Sequence, residues 1–204
     1  YALSNVIQPF SKEFCALQPK SAQARKLVQE LVQEKKKNQI CPPVYVRSDI
    51  LQVKGMASSS ADISVTAMAT ALAMDYDLSL KELEQICLSV EPTDASFYQG
   101  VTQFDYIKGT ISKPLGMCPP LKILVFDEGG SIDTVSFNKQ ADLQNKILEK
   151  ESIIQESFDL FKQGLTTHDI KLIGQAATLS AFGNQRILYK PNLYDFHDVG
   201  NSYN

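Results

Sequence analysis

Gly55-Met56-Ala57-Ser58-Ser59-Ser60-Ala61-Asp62 is a run of small residues with three consecutive hydroxyls that leads straight into an Ala-rich segment. Small side chains let backbone N–H groups point at a ligand. A helix starting here would add about half a unit of positive charge at its first turn, so the place suits a phosphate. The hydroxyls add donors and, at one position, a candidate ligand for Mg2+. The same run also has the composition of an ordinary N-cap, and its residue types do not choose between the two readings. It is not a Walker A loop, because the Gly-Lys-Ser/Thr ending is absent. Further on, Glu91-Pro92-Thr93-Asp94 sets two carboxylates three residues apart where a proline ends a helical pattern. Considered alone, that pair is either a site or a polar helix terminus.

The elements that must position these groups follow from periodicity. Over residues 21–37 the apolar positions Ala24, Leu27, Val28, Leu31 and Val32 line one face of a helix, with Ser21 as its expected cap. Val44-Tyr45-Val46 reads as a strand feeding the loop. Residues 62–74, rich in Ala, Met and Leu without Gly or Pro, read as a buried helix. Ser79 and Glu82 form a capping box for a further helix with apolar positions Leu80, Leu83, Ile86, Cys87 and Val90, stopped by Pro92. Residues 109–120 hold three Pro and two Gly and mark a connection and domain boundary. After it, 121–126 is the clearest strand pattern, apolar enough to be largely buried. Residues 139–162 look helical, and Thr166 with Asp169 is expected to cap a last helix through Ile170, Leu172, Ile173, Ala176, Ala177 and Leu179. Strands mixed with helices, without regular β-α-β alternation, point to α+β.

Composition excludes several function classes. Apolar residues are 44 % and charged residues 21 % of the 204, as in a folded domain rather than a disordered chain. A net charge of -3 provides no basic field for nucleic acid, and Lys35-Lys36-Lys37 suits a helix C-terminus. The apolar stretch at 67–74 is far short of the roughly 20 residues of a membrane span. Cys15, Cys41, Cys87 and Cys118 form no C-x-x-C pair, which predicts free thiols in a reducing cytoplasm. Tyr1 in place of an initiator Met suggests a trimmed or partly covered sequence rather than a signal peptide.

The loop resembles the phosphate-binding motif of the GHMP kinase superfamily, Pro-x-x-x-Gly-Leu-Gly-Ser-Ser-Ala. Gly55, Met56, Ala57, Ser58, Ser59 and Ser60 stand at its last six positions, with Leu51 at its proline and Ala57 at its second glycine. Lys-Gly-Met-Ala-Ser-Ser, Glu-Pro-Thr-Asp and the following Gln103-Phe104-Asp105-Tyr106 are similar to the L-threonine kinase branch linked to cobalamin synthesis. The resemblance spans roughly residues 51–133.

It implies a GHMP kinase fold: a ribosomal-protein-S5-domain-2-like ATP-binding part over residues 1–115 and a ferredoxin-like part over 116–204, both partial, with family motifs unseen at both ends. It implies ATP and Mg2+ as cofactors. Ser59 and Glu91 become the candidate metal ligands, and Asp94 the candidate base or substrate-orienting group. The implied substrate is a small molecule, L-threonine or a similar hydroxy amino acid, with no nucleic-acid or membrane partner, a homodimer allowed, and a cytoplasmic setting. Homoserine or another small alcohol as acceptor, or a non-catalytic nucleotide-binding relative, are the alternatives. Asp105 reads chiefly as a loop charge and His168 and His197 as surface residues. Tyr194, Phe196 and Tyr203 read as packing residues, and Asp127-Glu128 as a minor candidate for sensing an amino group.

Overall fold

The structure, a computed structural model, describes residues 18–36, 40–51, 54–127, 129, 130, 137 and 140–202. Mixed helix and sheet is present, and the chain divides into two compact units, one ending at Pro114 and the other beginning at Leu115.

In the first unit α1 (Pro19–Lys35), α2 (Ser58–Ala73) and α3 (Leu80–Val90) share one core. Ala24, Val28 and Val32 of α1, Ile63, Ala67 and Ala71 of α2, and Leu83, Ile86 and Cys87 of α3 are all buried there, with Met74 closing one end. The four-residue spacing in α1 and α2 makes straight stripes, and alanines in both let the helices approach closely. Thr66 and Thr70, wholly buried on α2, return their hydroxyls to the Asp62 and Thr66 carbonyls at 2.7 Å, so a polar helix is buried without orphaned hydroxyls at those positions.

The capping box at Ser79 and Glu82 forms as expected, and Glu82 Oε1 also accepts from Lys35 Nζ and from Tyr76 Oη, each at 2.7 Å. These bonds, Lys35 first, hold the Glu82 carboxyl at a pKa of about 2. They join the end of α1 to the start of α3.

β1 (Val101–Phe104) and β2 (Ser112–Gly116) form a two-stranded sheet. Neither strand is marked by alternating apolar residues. What makes the hairpin is Asp105, whose carboxylate accepts from the N–H groups of Ile107, Lys108 and Thr110 and so folds the connecting loop. Tyr98 clamps it to α3 by donating to the buried Glu84 and accepting from Ser112 Oγ at 2.6 Å. Burial works to raise the Glu84 pKa, but the bonds from Lys81 and Tyr98 outweigh it and keep the carboxyl below its ordinary range.

In the second unit the described elements are α4 (Leu143–Leu148), α5 (Glu151–Thr167), α6 (Ile170–Gly183), a 3-10 turn (Asn184–Arg186) and α7 (Leu193–Asn201). α5 and α6 form a tight hairpin. A Cβ on Gly164 would lie 2.8 Å from Ile173 Cγ1, so only glycine permits this approach.

Several expectations are corrected. α1 starts at Pro19 behind Gln18, and Ser21 is buried in its first turn instead of capping it; proline at the first helical position supplies the start. Residues 44–46 form no strand, because no neighbouring strand among the described residues offers a ladder. For the same reason 121–126 is irregular, and Ile123, Leu124, Val125 and Phe126 are more exposed than buried. The helical pattern at 139–162 breaks between α4 and α5. Thr166 belongs to α5, bonding the Lys162 carbonyl, while Asp169 alone caps α6 through the N–H groups of Lys171 and Leu172. His168 ends α5 in the left-handed region at φ 56°.

Candidate functional site

The Ser-rich segment is not an ordinary N-cap. α2 begins at Ser58, and its N-cap position is held by Ala57, a residue with no capping group, in the left-handed region at φ 55°. Gly55 is also left-handed, at φ 70°. Two positive-φ residues around Met56 turn the chain sharply into the helix, so the first-turn N–H groups of Ser58, Ser59 and Ser60 carry the positive end of α2 with no side chain capping them.

The hydroxyls of that turn reach outward to other elements. Ser60 Oγ, on a buried residue, accepts from the Asp94 backbone N–H at 3.0 Å. Ser59 Oγ accepts from Lys20 Nζ at 3.4 Å, and the same ammonium pairs with Glu91 Oε2. Ser58 is buried, and Met56, at the loop tip, is about half exposed.

The proline explains why Glu91 can turn this way. Pro92 disfavours helical geometry at the residue before it, and Glu91 leaves α3 fully extended at φ -162°, ψ 164°, with its N–H still bonded to the Cys87 carbonyl. A carboxylate there faces the negative end of α3 and is stabilised only by a cation. Burial, with the nearby Glu91 charge added, pushes the Cys87 thiol up to about 12, so it stays a packing group. Asp94 is exposed, on a loop fixed by the Ser60 bond and by Thr93 N–H donating to the Tyr106 carbonyl at 2.9 Å.

The structure therefore brings together Ser59, Ser60, Glu91 and Asp94, although 30 residues separate the two segments. Two oxygens of this group, Ser59 Oγ and the Glu91 carboxylate, already share one positive charge, and a hydroxyl with a carboxylate is a donor set for a hard cation such as Mg2+. No cluster of three or more His, Cys, Asp or Glu suited to a metal exists among the described residues, so such an ion would complete its shell with water or with phosphate oxygens.

Three nearby residues were not singled out by sequence. Lys20 gave no signal, since its role depends on partners 39 and 71 residues away. Asp62 Oδ1 and Thr93 Oγ1 are buried without a hydrogen-bond partner, on residues 6 % and 0 % exposed. A carboxylate in the second turn of a helix with no other charged residue was the available sign for Asp62.

The remaining candidates that fall among the described residues make local contacts. The Asp105 carboxylate is consumed by its loop. Those bonds, Thr110 first, hold its pKa at about 2. Asp127 Oδ1 accepts from Gly129 N–H at 2.9 Å, while Glu128 and Tyr203 lie outside the described residues. Tyr194 packs on Phe182 and Phe196 on Phe126, at ring centroids of 5.0 and 4.6 Å, and His197 faces Asp198 on α7.

Residues 22–100 match the GHMP kinases N terminal domain. Over 148 residues the chain is 35 % identical to a protein of Salmonella typhimurium named L-threonine kinase, covering 72 % of this chain and 49 % of that one. It is 31 % identical over 149 residues to an L-threonine kinase of Citrobacter freundii, covering 73 % and 51 %. The chain spans about half the length of these curated relatives. No solved structure matches it. No helix among the described residues is long and apolar enough to cross a membrane.

Proposed function

We propose, from a chain that carries a GHMP kinase N-terminal domain, that its loop and the Glu91–Asp94 segment serve an ATP-dependent kinase whose acceptor is the side-chain hydroxyl of L-threonine. The observation that carries this reading is the uncapped first turn of α2 with its Ser59 hydroxyl joined to Glu91 through one cation.

In this reading the N–H groups of Ser58, Ser59 and Ser60 hold phosphate oxygens, aided by the dipole of α2. Ser59 Oγ and Glu91 would hold Mg2+, which would supply charge neutralisation for the phosphates. Asp94 accepts the proton of the threonine hydroxyl or orients it, kept in place by Ser60 through its own backbone N–H. Phosphoryl transfer through a loose transition state needs little covalent help, so positioning by these groups supplies most of the catalysis. The product, O-phospho-L-threonine, is suited to become the aminopropanol linker of cobalamin. The cytoplasm, where ATP and free amino acids are present, is the compartment this reading requires.

ATP binding and ATP consumption with L-threonine, L-serine and L-homoserine test the proposal, in this chain and in one lengthened to match its relatives. Threonine-dependent turnover in either form is the expected result. Turnover only with homoserine would move the acceptor. ATP bound with no turnover in either form would leave a nucleotide-binding relative, and no ATP binding would overturn both.

A further inference from the structure

Lys20 and Glu91 each sit at the end of a helix that disfavours their charge. Lys20 is in the first turn of α1, the positive end, and that turn has no acidic residue to compensate. Glu91 is the C-cap of α3, the negative end. Local preference is broken twice, and the two unfavourable placements offset each other in one ion pair whose ammonium also reaches Ser59 Oγ. The Lys20 side chain is 48 % exposed against 13 % for Glu91, so the lysine can swing away while the carboxylate cannot.

We propose that Lys20 is a displaceable stand-in cation. In the nucleotide-free chain its ammonium holds Ser59 Oγ and Glu91 in place. When a divalent cation arrives with a nucleoside triphosphate, Lys20 gives up both oxygens and turns its charge to the phosphates. A lysine ammonium is a mobile point charge that suits such a handover, whereas an arginine fork would lock onto the carboxylate. This deepens the kinase reading and rests on it for the triphosphate, but the competition between Lys20 and a divalent ion can be observed with no nucleotide present.

Mn2+ binding to the nucleotide-free 204-residue chain, followed by electron paramagnetic resonance, is the test. Lys20→Met should bind Mn2+ roughly fivefold more tightly than the parent, the equivalent of one half-exposed ion pair. Lys20→Arg should bind no better than the parent, Glu91→Gln should lose the site, and Lys26→Met, from the exposed Lys26–Glu30 pair on the same helix, should match the parent. A merely structural Lys20 would lower stability in Lys20→Met and leave Mn2+ affinity unchanged, which would overturn the proposal. Should Lys20→Met fail to fold, acetic anhydride labelling of the parent chain decides. Mn2+ should raise the labelling rate of Lys20 but not of Lys26, and an unchanged Lys20 rate would be equally fatal. If Mn2+ competes with Lys20 while ATP does not bind, the kinase reading fails and the lysine exchange stands.

Discussion

The backbone N–H of Asp94 donates to Ser60 Oγ at 3.0 Å, tying the loop that follows α3 to the first turn of α2 across 34 residues of sequence. Through this bond a buried serine sets where an exposed carboxylate stands. Ser60→Ala leaves the Asp94 N–H without that acceptor and should cost about 1–3 kcal/mol. Urea unfolding should show a lower midpoint at unchanged slope. Turnover with threonine should fall further than ATP affinity, because Asp94 loosens while the loop amides remain.

Ser59→Ala and Glu91→Gln should each raise the Mg2+ requirement for ATP use by roughly tenfold or more, the usual effect of weakening a metal's surroundings. ATP consumption against Mg2+ concentration measures this. Equal curves for both variants and the parent would remove these two residues from the cation site.

Glu82 makes acid stability a test of the α1–α3 junction. Its folded pKa of about 2 lies below the ordinary 4.5, so its contribution is complete above about 4.5 and disappears as pH falls from there toward 2. Stability measured by urea unfolding across that window should decline in the parent. In Glu82→Gln the decline should be shallower, starting from a lower plateau. Parallel profiles would place the acid sensitivity in other carboxylates.

The loop backbone can be probed independently of its chemistry. Gly55 is at φ 70° with open space where a Cβ would lie, so Gly55→Ala should cost about 1–2 kcal/mol from backbone strain alone. Ala57 already bears such strain at φ 55°, and Ala57→Gly should leave the chain at least as stable. Thermal melts of the two variants should therefore separate, with Gly55→Ala the lower.

Helices were the legible part of the fold, as the α3 capping box and the stripes Ala24-Val28-Val32 and Ile63-Ala67-Ala71 illustrate. Their signals are local: a cap and its N–H lie three residues apart, and a stripe repeats every four. Even so, adjacent helix ends were misjudged where two elements competed for the same residues. Thr166 has a capping composition, but α5 runs on to Thr167 and leaves the cap of α6 to Asp169.

Residue types alone determined that the Ser58–Ser60 run and the Glu91–Asp94 pair were the chemical candidates, since small residues, hydroxyls and carboxylates near helix ends define what a segment can bind. Tertiary structure decided the rest. A strand exists only if another chain segment supplies its ladder, so 44–46 and 121–126, β-prone as they are, take no strand form, while the inconspicuous 101–104 and 112–116 pair because Asp105 and Tyr98 fold them back. In the same way, that no serine side chain caps α2 depended on Ala57 taking the N-cap. Whether Glu91 stood alone depended on Lys20, 71 residues away and visible only once α1 and α3 had packed on one core.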